Sequence, residues 1–180
     1  MKNQKGFTLL ELLVASTILG ILVVFATTSY RNSVAENRWA QARAMTNQLA
    51  GSLQRVKMDY PSVSFKEEIM QNVDYDGKCP FDMQESSFPE VFQAGDLTTC
   101  GYMESGAWTN TSFEYMICGT TPTGEICSKK DGENFPLACV KARDTARLPD
   151  QFKTNTYCVY ETGKGIECRK KDSEEKCVSL

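Results

Sequence analysis

The 180-residue sequence contains no histidine. That removes the commonest general base and the commonest ligand for zinc and copper, and with it every hydrolase triad built on an imidazole. No cysteine precedes Cys79, and no two of the eight cysteines form a C-x-x-C pair, which disfavours zinc ribbons and thioredoxin-type redox motifs. A basic excess is missing too. Lys and Arg number 20 against 23 Asp and Glu, a net charge of −3, so nucleic acid is not an expected partner. There is no phosphate-cradling Gly-rich loop and no nucleophile–base constellation. The expectation is a non-enzymatic chain with no cofactor and no metal.

The cysteines that are present all lie beyond residue 78: Cys79, Cys100, Cys118, Cys127, Cys139, Cys158, Cys168 and Cys177. An even count without metal-ligand spacing reads as a disulfide framework, which places residues 79–180 in an oxidising space outside the cytoplasm. The cysteine-free first 78 residues open with a short basic stretch, MKNQKG, followed by an apolar run from Phe7 to Ala26. As a helix this run spans about 30 Å, the thickness of the bilayer hydrocarbon. It is longer than a usual signal-peptide core, and no small-residue cleavage site follows it, so it reads as a retained anchor. Lys2 and Lys5 before the span and Arg31, Arg38 and Arg43 after it leave orientation by charge open. The cysteines settle it: the C-terminal part is outside.

Glu11 interrupts the apolar run. An acidic side chain there costs about 2.5–3.5 kcal/mol on insertion scales, so it needs a cationic partner or a functional reason. Cleavage between Gly6 and Phe7 would create such a cation, the new α-amine, four residues away. The string Lys5-Gly6-Phe7-Thr8-Leu9-Leu10-Glu11-Leu12-Leu13-Val14 resembles the processing site of type IV prepilins and type II secretion pseudopilins. The resemblance implies cutting after Gly6 by a prepilin peptidase, N-methylation of Phe7, and assembly through Glu11 paired with the amine of a neighbouring subunit. Gly20 matches a helix-weakening position of that family, whereas Thr28 stands where many members carry proline. The resemblance covers residues 1–30 closely and the rest by architecture.

Beyond the run, apolar or small residues recur at Ala42, Met45, Leu49, Leu53, Val56 and Tyr60, one face of an α-helix that Pro61 stops. A continuous helix from Phe7 to about Asp59 would be roughly 80 Å long, with its one-sided half docked on a sheet. Residues 61–112 read as an irregular connector, with a short helix possible near Phe65–Asn72 and a local Cys79–Cys100 bridge holding it. Strand signals follow at Ser112–Cys118 and at Phe135–Lys141, where Pro136 confines the start to an edge or bulge. Tyr157–Tyr160 and Ile166–Arg169 flank Thr162-Gly163-Lys164-Gly165 as a hairpin. Cys158 and Cys168 flank that hairpin, though position alone does not pair them. A bridge from Cys177, to Cys168 for example, would tether the charged tail.

The expected fold is α+β: a long N-terminal helix on a small antiparallel sheet with a disulfide-rich C-terminal region, similar to the pilin fold. The expected segments are a leader (1–6), a transmembrane and assembly half-helix (7–30), an amphipathic half-helix (31–60) and a headpiece (61–180). The resemblance implies a structural subunit of a type IV pilus. It starts as an inner-membrane precursor and assembles into a homo-oligomeric helical surface filament, served by an inner-membrane platform and a cytoplasmic ATPase. The alternatives are a periplasmic pseudopilin of a secretion or DNA-uptake system, and a minor pilin with an adhesive or DNA-binding head. Asp74-Tyr75-Asp76-Gly77 and Asp131-Gly132-Glu133-Asn134 read as turns and not calcium loops. Asn110-Thr111-Ser112 fits a glycosylation sequon. Trp39 and Trp108 read as packing residues, and Lys129-Lys130 and Arg169-Lys170-Lys171 as solvated basic patches.

Overall fold

The computed structural model describes residues 8–70, 79, 91–104, 112–119, 127, 136–143, 148–171 and 174–180. The chain divides into two compact units, Met1–Arg38 and Trp39–Leu180.

Helix α1 runs unbroken from Leu9 to Asp59. Its start is a reciprocal cap. The Glu11 amide donates to Thr8 Oγ1 at 3.3 Å, and the Thr8 amide donates to Glu11 Oε2 at 3.4 Å, the Thr-x-x-Glu capping box. No proline interrupts the helix before Pro61. Gly20 lies within it with nothing near its Cα. The hydroxyls of Thr27 and Thr28 fold back onto the Val23 and Val24 carbonyls, a mild weakening that leaves the ladder intact. At the far end, Lys57 sits in the last turn, favourable to the helix dipole.

In the second unit α1 buries one face. Trp39, Ala42, Thr46, Leu49, Ala50, Leu53 and Val56 are each at most 2% exposed, with the spacing of a single helical stripe. Met45 and Tyr60, expected on that stripe, lie at its margins and are only half-buried. The buried face packs on a six-stranded antiparallel sheet of order β2-β4-β5-β6-β7-β8. The strands are β2 (Glu68–Ile69), β4 (Phe113–Ile117), β5 (Pro136–Ala142), β6 (Thr156–Tyr160), β7 (Gly165–Lys171) and β8 (Glu174–Ser179). Strands β1 (Ser64–Phe65) and β3 (Val91–Phe92) form a separate parallel pair. Short helices α2 (Asp96–Thr99) and α3 (Asp150–Lys153) complete the elements.

Register assigns the faces. Tyr115, Val140, Tyr157, Glu167 and Val178 are successive cross-strand partners and share the helix-facing side. One residue along, Met116, Cys139, Cys158 and Ile166 share the opposite side. Because side chains alternate along a strand, all the sheet cysteines fall on the side away from α1. The Trp39 ring meets Phe113 at 5.5 Å between centroids. The hairpin turn needs Gly163, at φ +79°, a backbone region that L side chains rarely adopt. At Gly165 a Cβ would collide with the Tyr157 ring.

The α+β expectation holds, and so do the helix stop near Asp59, the strands at 113–117 and 136–142, and the hairpin. Pro136 opens β5, and the register shifts between Pro136 and Ala138, the irregularity its missing N–H demands. Three expectations change. The short helix expected near Phe65–Asn72 is replaced through residue 69 by β1 and β2. Phe65 turns inward onto Phe92, with ring centroids 5.9 Å apart, and Lys66 N–H bonds the Phe92 carbonyl; Gln71 and Asn72 lie outside the described residues. The connector carries β1, β2, β3 and α2 where irregular chain was expected. The charged tail forms β8, paired Lys170↔Glu175 and Lys171↔Glu174 along the backbone, and as an edge strand it leaves Glu175 and Lys176 exposed. The turns at 74–77 and 131–134, the residues Asn110, Thr111, Trp108, Lys129 and Lys130, and the leader with Gly6 and Phe7 lie outside the described residues.

Candidate assembly surface

The first unit exposes an apolar helix surface. From Leu9 to Phe25 every large apolar side chain is exposed, Leu9 at 84% and Phe25 at 72%. Leaving that surface in water forfeits on the order of 20 kcal/mol at about 1.5–3 kcal/mol per side chain. By length and composition α1 is able to cross a membrane. Glu11 is the one acidic group on this surface. Its Oε2 accepts from the Thr8 hydroxyl at 3.3 Å as well as from the amide. The sequence pattern Thr8-x-x-Glu11 was the signal for this cap, and reading Glu11 only as an intramembrane charge missed it. Gly20 lies on the same exposed helix; Gly6 and Phe7, the expected cleavage and methylation residues, fall outside the described residues.

In the second unit a buried carboxylate joins helix to sheet. Glu167 is 4% exposed. It accepts from Trp39 Nε1 at 3.1 Å, Arg43 Nη1 at 3.1 Å and Arg169 Nε at 2.8 Å. Three donors, two of them cationic, satisfy the charge that burial would otherwise make costly. Next to it a groove of about 590 Å³ runs between α1 and the β6–β7 hairpin, lined by Ala40, Arg43, Ala44, Asn47, Tyr157 and Leu180 among others. Tyr157 donates to Asn47 Oδ1 at 3.0 Å across it. None of these roles was visible in the sequence, where Glu167 is a lone acid in a strand and its α1 partners, Trp39 and Arg43, lie more than 120 positions earlier.

All eight cysteines are paired: Cys79–Cys100, Cys118–Cys127, Cys139–Cys158 and Cys168–Cys177. The first pairing and Cys168–Cys177 match expectation, whereas Cys158 pairs with Cys139 across β5–β6 and not across the hairpin. Cys118, Cys127, Cys139, Cys158 and Cys168 pack with Tyr160 and Ile166 into one core cluster. The two sulfurs Cys118 Sγ and Cys139 Sγ approach to 3.5 Å.

At the opposite end of α1 the acidic groups gather. Asp59 Oδ2 accepts from the Tyr102 hydroxyl at 2.7 Å. Burial, then the Asp59 carboxylate, pushes that phenol up to about 12. Glu68 Oε2 accepts from Ala94 N–H at 3.1 Å, and Asp96 Oδ2 from Gln93 N–H at 2.8 Å. Burial raises the Asp96 carboxyl above its ordinary value, the Gln93 amide works against this, and the nearby Glu68 charge adds to it.

The prokaryotic N-terminal methylation motif matches residues 1–27. In this N-terminal segment the chain is similar to the type IV pilins. Type IV major fimbrial protein FimA of Dichelobacter nodosus is 34% identical over 56 residues, 31% of this chain and 36% of that protein. Another FimA sequence from the same organism matches at 34% over 35% of its length. The chain thus spans about a third of the length of the curated relatives it matches. No solved structure matches.

Proposed function

We propose that the chain is a structural subunit of a type IV pilus and has no catalytic role. A prepilin peptidase removes residues 1–6 by cutting after Gly6, and Phe7 becomes the methylated N-terminus. Residues 7–30 hold the precursor in the inner membrane and then pack against the same segment of other copies. Residues 31–60 carry the headpiece, 61–180. A cytoplasmic ATPase and an inner-membrane platform drive assembly, and the filament lies outside the cell.

The observation that carries this reading is the exposed apolar face of α1 with Glu11 as its one acid, lying under a matched methylation motif. A helix apolar all round is stable in lipid or in a bundle of like helices and nowhere else. Glu11 gives the bundle its axial register. A correctly staggered neighbour places its Phe7 amine at this carboxylate, and an offset neighbour leaves a charge buried without a partner. Four disulfides suit a filament exposed to proteases and shear, which favours a surface pilus over a periplasmic pseudopilus.

The capping box supplies a discriminating test. Gln serves at the third helical position of a capping box as Glu does, so Glu11→Gln keeps the cap and removes only the charge. Sheared-filament yield should fall at least about tenfold in Glu11→Gln, as expected from about 2.5–3.5 kcal/mol for an unpaired intramembrane charge. Wild-type yield from Glu11→Gln would leave Glu11 a helix cap and sink its assembly role.

A further inference from the structure

The arginines on Glu167 are held at one end and open at the other. Arg43 uses Nη1 and Arg169 uses Nε on the buried carboxylate, so each planar fork keeps its remaining N–H groups for something else. The Arg169 side chain is 64% exposed and that of Arg43 32%. Across the β7–β8 pair Arg169 stands opposite Lys176. Arg43 and Arg169 bring two positive charges to the one carboxylate of Glu167. Arg43 also lines the groove beside α1, so the open forks sit at the mouth of a concave surface.

The complement is on the same molecule. Glu68 and Asp96 are fixed by backbone amides, and among the described residues neither is paired with a cation. Their mutual repulsion contributes to the raised pKa of Asp96. They lie where β1 and β3 pack by Asp59, since Tyr102 bonds Asp59 and its ring contacts Phe92. From Arg43 to Asp59 along α1 the rise is about 24 Å. Basic and acidic corners therefore sit at opposite ends of this stretch of helix. A second copy with its helix in the same direction, displaced by about that distance, brings one corner level with the other. A patch that meets a different patch on the next copy propagates a filament and does not close a dimer.

We propose that the Arg43–Glu167–Arg169 corner is an inter-subunit contact that receives the Glu68 and Asp96 carboxylates of a second copy of this chain. Glu167 is the positioning residue: it orients both guanidinium forks before the partner arrives, so little side-chain freedom is lost on contact. The chain's net charge of −3 favours this occupant over a nucleic acid. The inference rests on the filament reading, and its test separates the two.

A photo-crosslinking benzophenone residue in place of Lys176, activated in whole cells, should join the chain to residues 66–99 of a second copy. Cross-links to another region, another protein, a nucleic acid or a glycan, or none at all, would overturn the proposal. This readout works on envelope oligomers too, so loss of surface filaments alone leaves it decidable. In parallel, Arg169→Glu should lower sheared-filament yield by about tenfold or more, and Arg169→Glu with Glu68→Arg should restore most of it. The milder Arg169→Gln, scored on subunits with all four disulfides by intact mass, should form filaments that dissociate at lower salt. A double reversal no better than the single one, or salt resistance unchanged in Arg169→Gln, counts against the contact.

Discussion

Glu167 shows how one side chain sets a packing arrangement. Its carboxylate is 4% exposed and holds Trp39 and Arg43 of α1 together with Arg169 of β7. Removing it leaves the Trp39 N–H without its acceptor and two guanidinium groups without their counter-charge. Glu167→Ala should destabilise the detergent-solubilised chain by about 3–5 kcal/mol, read as a shift in denaturant midpoint; a loss below about 1 kcal/mol would show that the cluster is not a structural keystone. Asp96 carries the clearest pH signature. Its carboxyl is raised mainly by burial, so in the fold it binds its proton more tightly than in the unfolded chain. Its favourable contribution is complete below the unfolded value near about pH 4 and is lost as pH rises through the higher folded value. Asp96→Asn should therefore raise the melting temperature at pH 7 and have little effect at pH 3. An equal gain at both pH values would rule out the ionised carboxylate as the cause. Nothing in the sequence distinguished these two acids from solvated ones. Their burial depends on residues far away in the chain, whereas Glu11 was legible because its neighbours in sequence are also its environment.

At the scale of elements, legibility followed periodicity. Helix α1 was readable over its whole length because the apolar run, the amphipathic stripe and Pro61 are all local signals. Strand β4 alternates buried and half-buried residues, and the β6–β7 turn announced itself through Gly163. Strands β1, β2 and β3 have two residues each, too short for any period; β1 and β3 pair where Phe65 packs on Phe92, and β2 pairs with β4. Strand β8 has the composition of a charged tail and is ordered by its pairing with β7. The turn makes a sharp prediction. Gly163→Ala places a Cβ at φ +79° and should cost about 1–2 kcal/mol. Gly165→Ala drives a Cβ into the Tyr157 ring and should displace the Tyr157 hydroxyl from Asn47, seen as altered Tyr ring resonances by NMR. An unchanged spectrum would mean that the ring has room to yield.

At the scale of the molecule, the disulfides and the apolar helix define where the chain works. The even cysteine count without metal-ligand spacing implied an oxidising space, but the pairing of Cys139 with Cys158 depends on strand register, which sequence does not carry. Burial ranks the bridges for attack by a reductant. Cys118–Cys127 and Cys139–Cys158 are enclosed, every sulfur-bearing residue at most 5% exposed, whereas Cys100 and Cys177 are half-buried. Graded reduction with alkylation and mass mapping should open Cys79–Cys100 and Cys168–Cys177 first; early opening of Cys139–Cys158 would contradict the enclosed sulfur cluster. The central claim, a processed subunit polymerised outside the cell, meets its most direct test in the intact mass and N-terminal map of protein in filaments sheared from the cell surface. The account predicts a chain that starts at methylated Phe7 and carries four disulfides. A chain starting at Met1, or a processed chain confined to the envelope and absent from the sheared fraction, would contradict it.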